Sequence, residues 1–434
     1  MSGRLAKRTN GGPARLFVNA AQVVTCAGPA RARRGSEMND AGVRTDVGVA
    51  VVGDRIAEVD SVAALRERFP GASEFDCRGG VLTPGLVDSH THGIFGRPRY
   101  EEQEMRAAGL DYMEIARRGG GIHSSVRDLR AQSEDTLIVL ARARLRRLAS
   151  FGTTTIELKS GYGLTLEDEL KTLRVIARLA AELPMRIVPT FLGAHEIPLE
   201  HRVSDAARRG YIETLIHEMI PAVASQRLAT FADVFCEQGV YSPEESRAIL
   251  DAARGAGMLL KLHADELAPS GGAELAASLG ATSADHLAAV SDEGIAALAS
   301  APTVATLLPG TMLFLGKSRH APARRFIDAG VPVALASDFN PGTSPTPNLP
   351  LVLMLGVSQL RLSVAEAMTA ATVNGAAALA LADRVGQIAP GYSADLALFE
   401  IADVRELPYW YGDNRCVASF VCGKPCHTSN LDIT

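Results

Sequence analysis

Residues 84–99 read Pro-Gly-Leu-Val-Asp-Ser-His-Thr-His-Gly-Ile-Phe-Gly-Arg-Pro-Arg, and this stretch decides the fold. The apolar pair Leu86-Val87 predicts a buried strand that ends at His90 and His92. Because side chains two residues apart in a strand point the same way, the two imidazoles are able to bind one metal ion. Two ordinary histidines near a strand end are the plainer alternative. The preceding Pro-Gly turn and Asp88 make the motif more specific than His-x-His alone, so further ligands must be sought along the chain.

Length and composition exclude several classes of protein. The chain has 434 residues, more than one ordinary domain, and 47% of them are hydrophobic, enough for a large core. A net charge of −5 and a pI near 6.1 argue against a nucleic-acid surface, and no apolar run is long enough to span a membrane. The six cysteines are sparse, as is typical of a reduced, cytoplasmic protein. Those near the C-terminus lack paired Cys-x-x-Cys spacing, so we expect structural roles for them.

The two ends of the chain share one style of sequence. Residues 1–14 carry basic but no acidic residues and are expected to form a disordered tail, a transit peptide being the alternative. Short strand-like runs follow, and Gly53-Asp54 predicts the tip of a hairpin. Similar runs at both ends indicate one small β-sandwich built from residues 15–83 and 385–434. The predicted strands are 16–18, 22–25, 47–52, 55–59, 386–388, 394–399 and 418–421.

The middle of the chain, residues 84–384, alternates short apolar runs with helical patterns. Eight of each predict parallel βαβ units of the α/β class, and eight such units close a (β/α)8 barrel of the TIM type. Such barrels carry their chemistry at the carboxyl ends of the strands. The predicted strands are 86–91, 153–158, 186–194, 232–236, 258–263, 282–286, 303–308 and 333–338. The predicted helices are 134–149, 167–182, 204–219, 244–255, 272–279, 291–300, 321–329 and 363–381.

Chemically active side chains follow the predicted strands at those ends. Five of the ten histidines lie there, together with several acidic residues. Only the seventh strand ends without an ionisable group, in Pro309-Gly310-Thr311. A random scatter would leave several bare ends, so a metal-dependent hydrolase barrel is the simplest interpretation. The residues at the other ends are His90, His92, Glu157, Lys159, His195, Cys236, Glu237, His263, Glu266, Asp285, His286 and Asp338.

Four of these residues make a suitable ligand set for one divalent ion, with three imidazole nitrogens and one carboxylate. A catalytic ion keeps one position open for water, whose pKa it lowers from ~15.7 toward ~7. Glu266 and His286 are suited to proton transfer beside it, and either is able to serve as the general base. Zinc suits these donors, and iron is also compatible. The four predicted ligands are His90, His92, His263 and Asp338.

Seven motifs at the strand ends carry a resemblance to a known family. They are Asp88-Ser-His-Thr-His92, Phe95-Gly96 with Arg99, Glu157-Leu-Lys-Ser-Gly-Tyr-Gly163, Gly193-Ala-His195, His263-Ala-Asp-Glu266, Ser283-Ala-Asp-His286 and Ser337-Asp-Phe-Asn-Pro-Gly342. Together they resemble the amidohydrolase superfamily and, within it, the imidazolonepropionase family of histidine degradation. The resemblance implies a distorted (β/α)8 barrel with a small β-sandwich. It also implies hydrolytic opening of 4-imidazolone-5-propanoate to N-formimidoyl-L-glutamate.

The resemblance also assigns residue roles. Its substrate has a propanoate tail, for which Arg99 offers a fork that binds carboxylates. Arg97 departs from the family pattern beside it and is the alternative carboxylate binder. His195 is expected to help polarise the ring carbonyl, and the loop after Asp338 to offer an amide and backbone N–H groups. The implied substrate contacts are Arg99, Tyr162, His195, Glu266, Asn340, Gly342 and Thr343, and the implied catalytic residues are Glu266, His286 and Asp338.

Several alternatives stay open at this point. The fourth strand end, Phe235-Cys236-Glu237, lacks the bridging lysine of binuclear superfamily members, which favours one metal. Another cyclic-amide or cyclic-amidine hydrolase, such as a ring deaminase, would keep the metal ligands without needing Arg99 and Tyr162 together. A barrel kept only as a scaffold would typically have lost its ligands. A homodimer is expected only because dimers are common.

Overall fold

Eight parallel strands stand side by side in sequence order in the computed structural model, which describes residues 12–110, 114–115 and 118–429. The first and eighth strands meet through a bridge between Thr91 and Phe339 and through the Asp338 N–H, which donates to the His90 carbonyl at 3.1 Å. These links nearly close the sheet and confirm the predicted (β/α)8 barrel. The barrel strands are Leu86–Asp88, Thr153–Lys159, Arg186–Ala194, Phe231–Cys236, Leu259–Ala264, Ser283–His286, Val304–Leu307 and Val333–Leu335.

Helices cover the outside of the barrel. Many begin at a serine or threonine whose oxygen accepts a backbone N–H three residues later, as Ser133 does from Thr136 at 3.2 Å. The predicted helices 134–149 and 272–279 are confirmed at both ends. Helices at Tyr100–Ala107, Ile122–Ala131 and Leu349–Ser358 were not predicted. Further α-helices are Val62–Arg68, Leu166–Glu182, Asp205–Thr214, Ile220–Ser225, Pro243–Gly255, Asp292–Ala299, Pro309–Phe314, Ala323–Asp328, Val364–Thr369, Gly375–Ala377 and Glu406–Tyr409, with 3-10 turns at Gly35–Asn39 and Leu199–His201 and π turns at Leu215–Met219 and Ala370–Asn374.

The predicted helix 363–381 is interrupted and ends early. It widens into a π turn before Gly375 and ends at Ala377. The side chain of Asn374 accepts from the Arg33 N–H at 2.7 Å and donates to the Val333 carbonyl at 2.8 Å. These bonds tie the helix to the N-terminal segment and to the eighth barrel strand. The interruption therefore follows from tertiary packing, which overrides the local helical pattern.

Strands from both ends of the chain form two further sheets, which confirms the predicted small β-sandwich. The rings of Phe17, Phe75 and Phe420 pack together with centroids 5.1–5.3 Å apart. The hairpin with Gly53-Asp54 at its tip is confirmed. The predicted strand 386–388 is wrong, since these residues form a loop in which the Ile388 N–H makes a single bond to the Thr25 carbonyl at 2.8 Å. One sheet orders Arg55–Asp60, Gly48–Val52, Ala14–Val18 and Ser73–Asp76, and the other orders Lys424–Thr428, Cys416–Val421, Leu396–Phe399, Val81–Pro84, Gln22–Val24 and Val43–Arg44.

Residues 1–11 of the predicted tail lie outside the described residues. The division into residues 15–83 with 385–434 and residues 84–384 stays a prediction. Within the described part of the chain, none of the helices combines the length and the apolar character that crossing a membrane requires.

Candidate metal and substrate site

The carboxyl ends of the first and eighth barrel strands are locked together at the predicted ligands. The His92 N–H donates to the Phe339 carbonyl at 2.9 Å, one residue beyond the Asp338–His90 bond. Two residues before His90, the buried Asp88 carboxylate accepts from the Ser337 N–H at 2.9 Å and from the Ser337 hydroxyl at 2.5 Å. These bonds hold the motif at residues 88–92, on the first strand, in register with residues 337–339, after the eighth strand.

Four ligand atoms converge above this junction, and all four residues are buried. The His92 Nε2 lies 3.3 Å from the His90 Nε2 and 3.3 Å from the His263 Nε2. Asp338 Oδ1 lies 3.6 Å from His92 Nε2 and 3.7 Å from His90 Nε2. The sequence predicted these four residues as one ligand set, and the fold brings His90, His92 and Asp338 within 4.8 Å of one another, with His263 against His92.

This cluster fits a divalent cation. Ligands about 2.0–2.1 Å from a tetrahedral zinc ion lie roughly 3.3 Å from one another. The His92 Nε2 lies at that distance from the Nε2 atoms of both His90 and His263. Burial lowers the pKa of His90 and of His92 well below the usual value, so both rings are neutral near pH 7. Facing lone pairs at that distance repel unless a cation lies between them. Donor type, spacing and charge state therefore agree on a divalent metal site.

Two of the three imidazoles are oriented by buried carboxylates. Asp285 Oδ2 accepts from His90 Nδ1 at 2.6 Å, and Asp233 Oδ1 accepts from His263 Nδ1 at 3.1 Å. With the proton on Nδ1, the Nε2 lone pair of each ring faces the site. Sequence analysis noted Asp285 at a strand end but missed Asp233. The available signal was one acidic residue inside the apolar strand Phe231–Cys236.

The fourth ligand is supported by the strand end that looked bare in the sequence. Thr311 follows the seventh strand, and its hydroxyl donates to Asp338 Oδ2 at 2.5 Å. Burial raises the pKa of the Asp338 carboxyl to about 6, although the Thr311 bond opposes the shift. The remaining oxygen, Oδ1, is the one that faces the histidines. The end of the seventh strand therefore contributes the Thr311 hydroxyl, which holds Asp338, instead of an ionisable group.

Glu266 and His286 face each other beside the ligands. Glu266 Oε2 lies 3.6 Å from His286 Nδ1. Burial, reinforced by Asp338 and Glu237, raises the pKa of the Glu266 carboxyl to about 8. Burial lowers the pKa of His286 well below its usual value. Near neutral pH the proton therefore resides on Glu266 and His286 is neutral, so the pair offers one proton donor and one proton acceptor beside the ligands.

His195 stacks on a metal-ligand candidate, but in a tautomer that sequence analysis did not foresee. Its ring lies parallel to that of His92, with centroids 4.9 Å apart and 16° between planes. Its Nδ1 lies 3.0 Å from the Gly161 carbonyl, which only accepts, so Nδ1 carries the proton. Burial lowers the pKa of His195 to about 3, so Nε2 keeps its lone pair. The expectation that His195 polarises a carbonyl by donating to it does not fit, because its free nitrogen is an acceptor.

Of the two arginines that follow the motif, Arg99 is the one inside. Its side chain is 9% exposed and its Nε lies 3.1 Å from Glu102, whereas the Arg97 side chain is 68% exposed and pairs with Glu101. The Arg99 guanidinium lies so close over Gly342 that any side chain there would collide with it. The structure thus distinguishes a buried arginine from an exposed one.

Tyr162 and the loop 340–343 border the same region. Tyr162 is buried, its ring lies 5.4 Å from that of His195, and burial raises its pKa while the Arg99 charge opposes the rise. Asn340 Oδ1 accepts from the Gly342 and Thr343 N–H groups at 2.8 and 2.7 Å. The amide and these two N–H groups were expected to face the substrate, but they are already hydrogen-bonded within the loop. Asn340 therefore shapes the loop that brings Gly342 beneath Arg99.

Comparisons with known proteins give consistent matches over most of the chain. The family model described as "Amidohydrolase family" matches residues 98–408. The chain is similar to "Imidazolonepropionase" of Geobacillus kaustophilus, with 44% identity over 94% of this chain and 97% of the relative. It is similar to "Imidazolonepropionase" of Symbiobacterium thermophilum, with 47% identity over 92% and 93%.

Solved structures share the fold at lower identity. An adenosine deaminase from Xanthomonas campestris with bound zinc superposes with a TM-score of 0.70 at 18% identity, covering 98% of this chain and 96% of that one. The guanine deaminase of E. coli gives 0.68 at 16% identity, covering 96% and 99%. These two likenesses support the barrel and its added β-structure alone.

Proposed function

The chain belongs to the imidazolonepropionase family of amidohydrolases, and from this premise we propose that it opens the ring of 4-imidazolone-5-propanoate by hydrolysis. Water adds its oxygen to the ring carbonyl carbon, the amide C–N bond breaks, and the departing nitrogen takes a proton. The product is N-formimidoyl-L-glutamate, as in histidine degradation. The observation that carries the proposal is the gathering of the ligand atoms beside the Glu266–His286 pair, with the buried Arg99 side chain near Tyr162.

A single divalent ion is proposed as the cofactor, held by His90, His92, His263 and Asp338. We propose zinc, because three imidazole ligands suit it, with iron as the alternative. The chemistry that such a cation supplies is Lewis acidity, which strengthens water as a nucleophile at neutral pH and polarises a carbonyl. Phe235 to Glu237 at the fourth strand end offer no bridging lysine, which supports one ion rather than two.

Glu266 and His286 are proposed to move the protons. One takes a proton from the attacking water, and the other delivers one to the departing ring nitrogen. A pKa of about 8 for Glu266 lies close to a working pH near neutrality, where a proton carrier is most effective. The two groups lie 3.6 Å apart, too far for a direct hydrogen bond, so we propose that a proton passes between them through substrate or a bridging water.

Arg99 and Tyr162 are proposed to bind the propanoate. Glu102 lies 3.1 Å from the Arg99 Nε, and Nη1 makes a long bond of 3.4 Å to the Ser125 hydroxyl, so an N–H group on each terminal nitrogen is left for a carboxylate. His195, with a lone pair on Nε2, is proposed to accept a hydrogen bond from a ring N–H of the substrate. Gly342 is proposed to leave room for the guanidinium, and Asn340 with Thr343 to hold the loop. A cytoplasmic location and a homodimer stay predictions from composition and from the frequency of dimers.

The test is an assay of the purified full-length protein on 4-imidazolone-5-propanoate, with formation of N-formimidoyl-L-glutamate followed by mass spectrometry. We expect turnover that a chelator abolishes and that zinc or ferrous iron restores. Full turnover by metal-free protein would contradict the metal proposal. No turnover by the metal-loaded protein, together with activity on cytosine or dihydroorotate, would instead favour another ring hydrolase of this fold.

A further inference from the structure

A layer of charged side chains lies inside the barrel directly beneath the ligand cluster. It comprises two lysines and three carboxylates, and every one of these side chains is fully buried. Burying charges is costly unless they are paired and hydrogen-bonded. The proposed chemistry uses none of them directly, so their retention calls for a different role. The five residues are Glu157, Lys159, Asp233, Lys261 and Asp285.

Lys159 is the centre of this layer. Its Nζ lies 2.6 Å from Asp233 Oδ2, 2.9 Å from Glu157 Oε2 and 3.9 Å from Asp285 Oδ2. Burial alone would lower the pKa of Lys159, but the three carboxylates hold it above its usual value. Lys261 adds a second link, since its Nζ donates to the Ser89 carbonyl at 2.9 Å, next to His90.

The same two carboxylates orient two metal-ligand candidates. Asp233 uses one oxygen for Lys159 and the other for the Nδ1 of His263, while Asp285 Oδ2 accepts from the Nδ1 of His90. The Lys159 ammonium therefore connects the two imidazoles through a hydrogen bond to Asp233 and a longer ionic contact of 3.9 Å with Asp285, whose Oδ2 also lies 3.6 Å from the Lys261 Nζ. His92 differs, because among the described residues its Nδ1 has no hydrogen-bond partner and its ring is held by stacking on His195.

We propose that Asp233 and Asp285, joined through Lys159, are positioning residues that set the metal affinity of the site by fixing His263 and His90 together. The inference rests on the proposed metal-dependent hydrolysis. Carboxylates that hold metal-binding histidines typically change metal affinity by about 10- to 100-fold. Because both carboxylates contact Lys159, removing one of them should shift the position of the lysine and therefore of the other carboxylate.

The experiment measures the Zn²⁺ affinity of the metal-free full-length protein by competition with a chromophoric chelator. The variants are Asp233→Asn, Asp285→Asn and the double variant, since asparagine keeps the shape and one acceptor oxygen. The matched control is Asp395→Asn, which removes a buried carboxylate that pairs with Arg186 at 3.2 Å. Arg186 begins the strand that ends at Ala194, at the opposite end of the barrel from the site.

We expect each single variant to bind Zn²⁺ about 10- to 100-fold more weakly. The double variant should differ from the product of the single effects by more than about threefold, as residues of one network do. Asp395→Asn should lower the melting temperature while leaving Zn²⁺ affinity within about threefold of wild type. If Asp233→Asn does not fold, Asp285→Asn alone tests the positioning role.

Unchanged affinity in a folded single variant would overturn the positioning role, and strictly multiplicative effects would overturn the link through Lys159. Both results are distinguishable from failure of the proposed function. If the proposed function is wrong, the wild-type protein itself will fail to bind Zn²⁺ or to turn over the imidazolone.

Discussion

Replacing Arg99 by alanine removes the proposed partner of the substrate carboxylate. The guanidinium is already half-neutralised by Glu102 at 3.1 Å, so we count the net gain of only one charge-assisted hydrogen bond to the propanoate. Such a bond contributes about 1.5–3 kcal/mol, which corresponds to about a 10- to 150-fold weaker binding. The tail lies away from the reacting carbonyl, so its loss weakens substrate and transition state alike. KM should therefore rise by that factor while kcat stays within about threefold.

The assay is steady-state hydrolysis by Arg99→Ala and by the matched control Arg97→Ala. Arg97 is two residues away and 68% exposed, and a surface pair such as Arg97–Glu101 contributes about 0–1 kcal/mol. Its replacement should leave KM within about twofold. An imidazolone with a propyl tail should show the same loss with the wild-type enzyme and little further loss with Arg99→Ala. An unchanged KM in Arg99→Ala, or a large rise in Arg97→Ala, would refute the assignment.

Three further predictions follow from individual contacts. Gly342→Ala should raise KM at least as much as Arg99→Ala, because the new Cβ displaces the guanidinium; an unchanged KM would show that the contact is not needed. Glu237→Gln should lower kcat at least about tenfold with Zn²⁺ affinity retained, since Glu237 accepts from the backbone of the loop that follows Glu266; loss of Zn²⁺ instead would place its role at the metal. His195→Gln, whose amide oxygen still accepts, should keep more kcat/KM than His195→Leu; equal losses in the two variants would contradict the acceptor role.

Local patterns predicted the barrel well, because strand and helix periods are properties of short segments. The apolar runs of the second and third strands correspond to Thr153–Lys159 and Arg186–Ala194. The carboxyl ends of barrel strands meet at one rim. This rule was enough to predict that His92 and His263 lie together, although they are 171 residues apart in the sequence. The general rule that barrel active sites lie at the carboxyl ends of the strands supplied these long-range contacts, which no local sequence pattern contains.

The interior of the site was harder to predict, because its hydrogen bonds depend on which side chains meet across strands. Asp233 looked like an exception within an apolar strand, and Thr311 looked like a bare strand end, yet each supports a ligand. The inward turn of Arg99 depends on its pairing with Glu102, which lies on a helix that sequence analysis missed. The tautomer of His195 is set by one carbonyl and has no signature in the sequence.

The metal site is tested most directly by measuring metal content and turnover together in His263→Ala. The control is His217→Ala, since the His217 side chain is 70% exposed and pairs with Glu213 at the surface. Wild type and His217→Ala should each hold about one divalent ion per chain and turn over equally. His263→Ala should lose both the ion and the turnover, whereas full turnover with normal metal content in that variant would contradict the account.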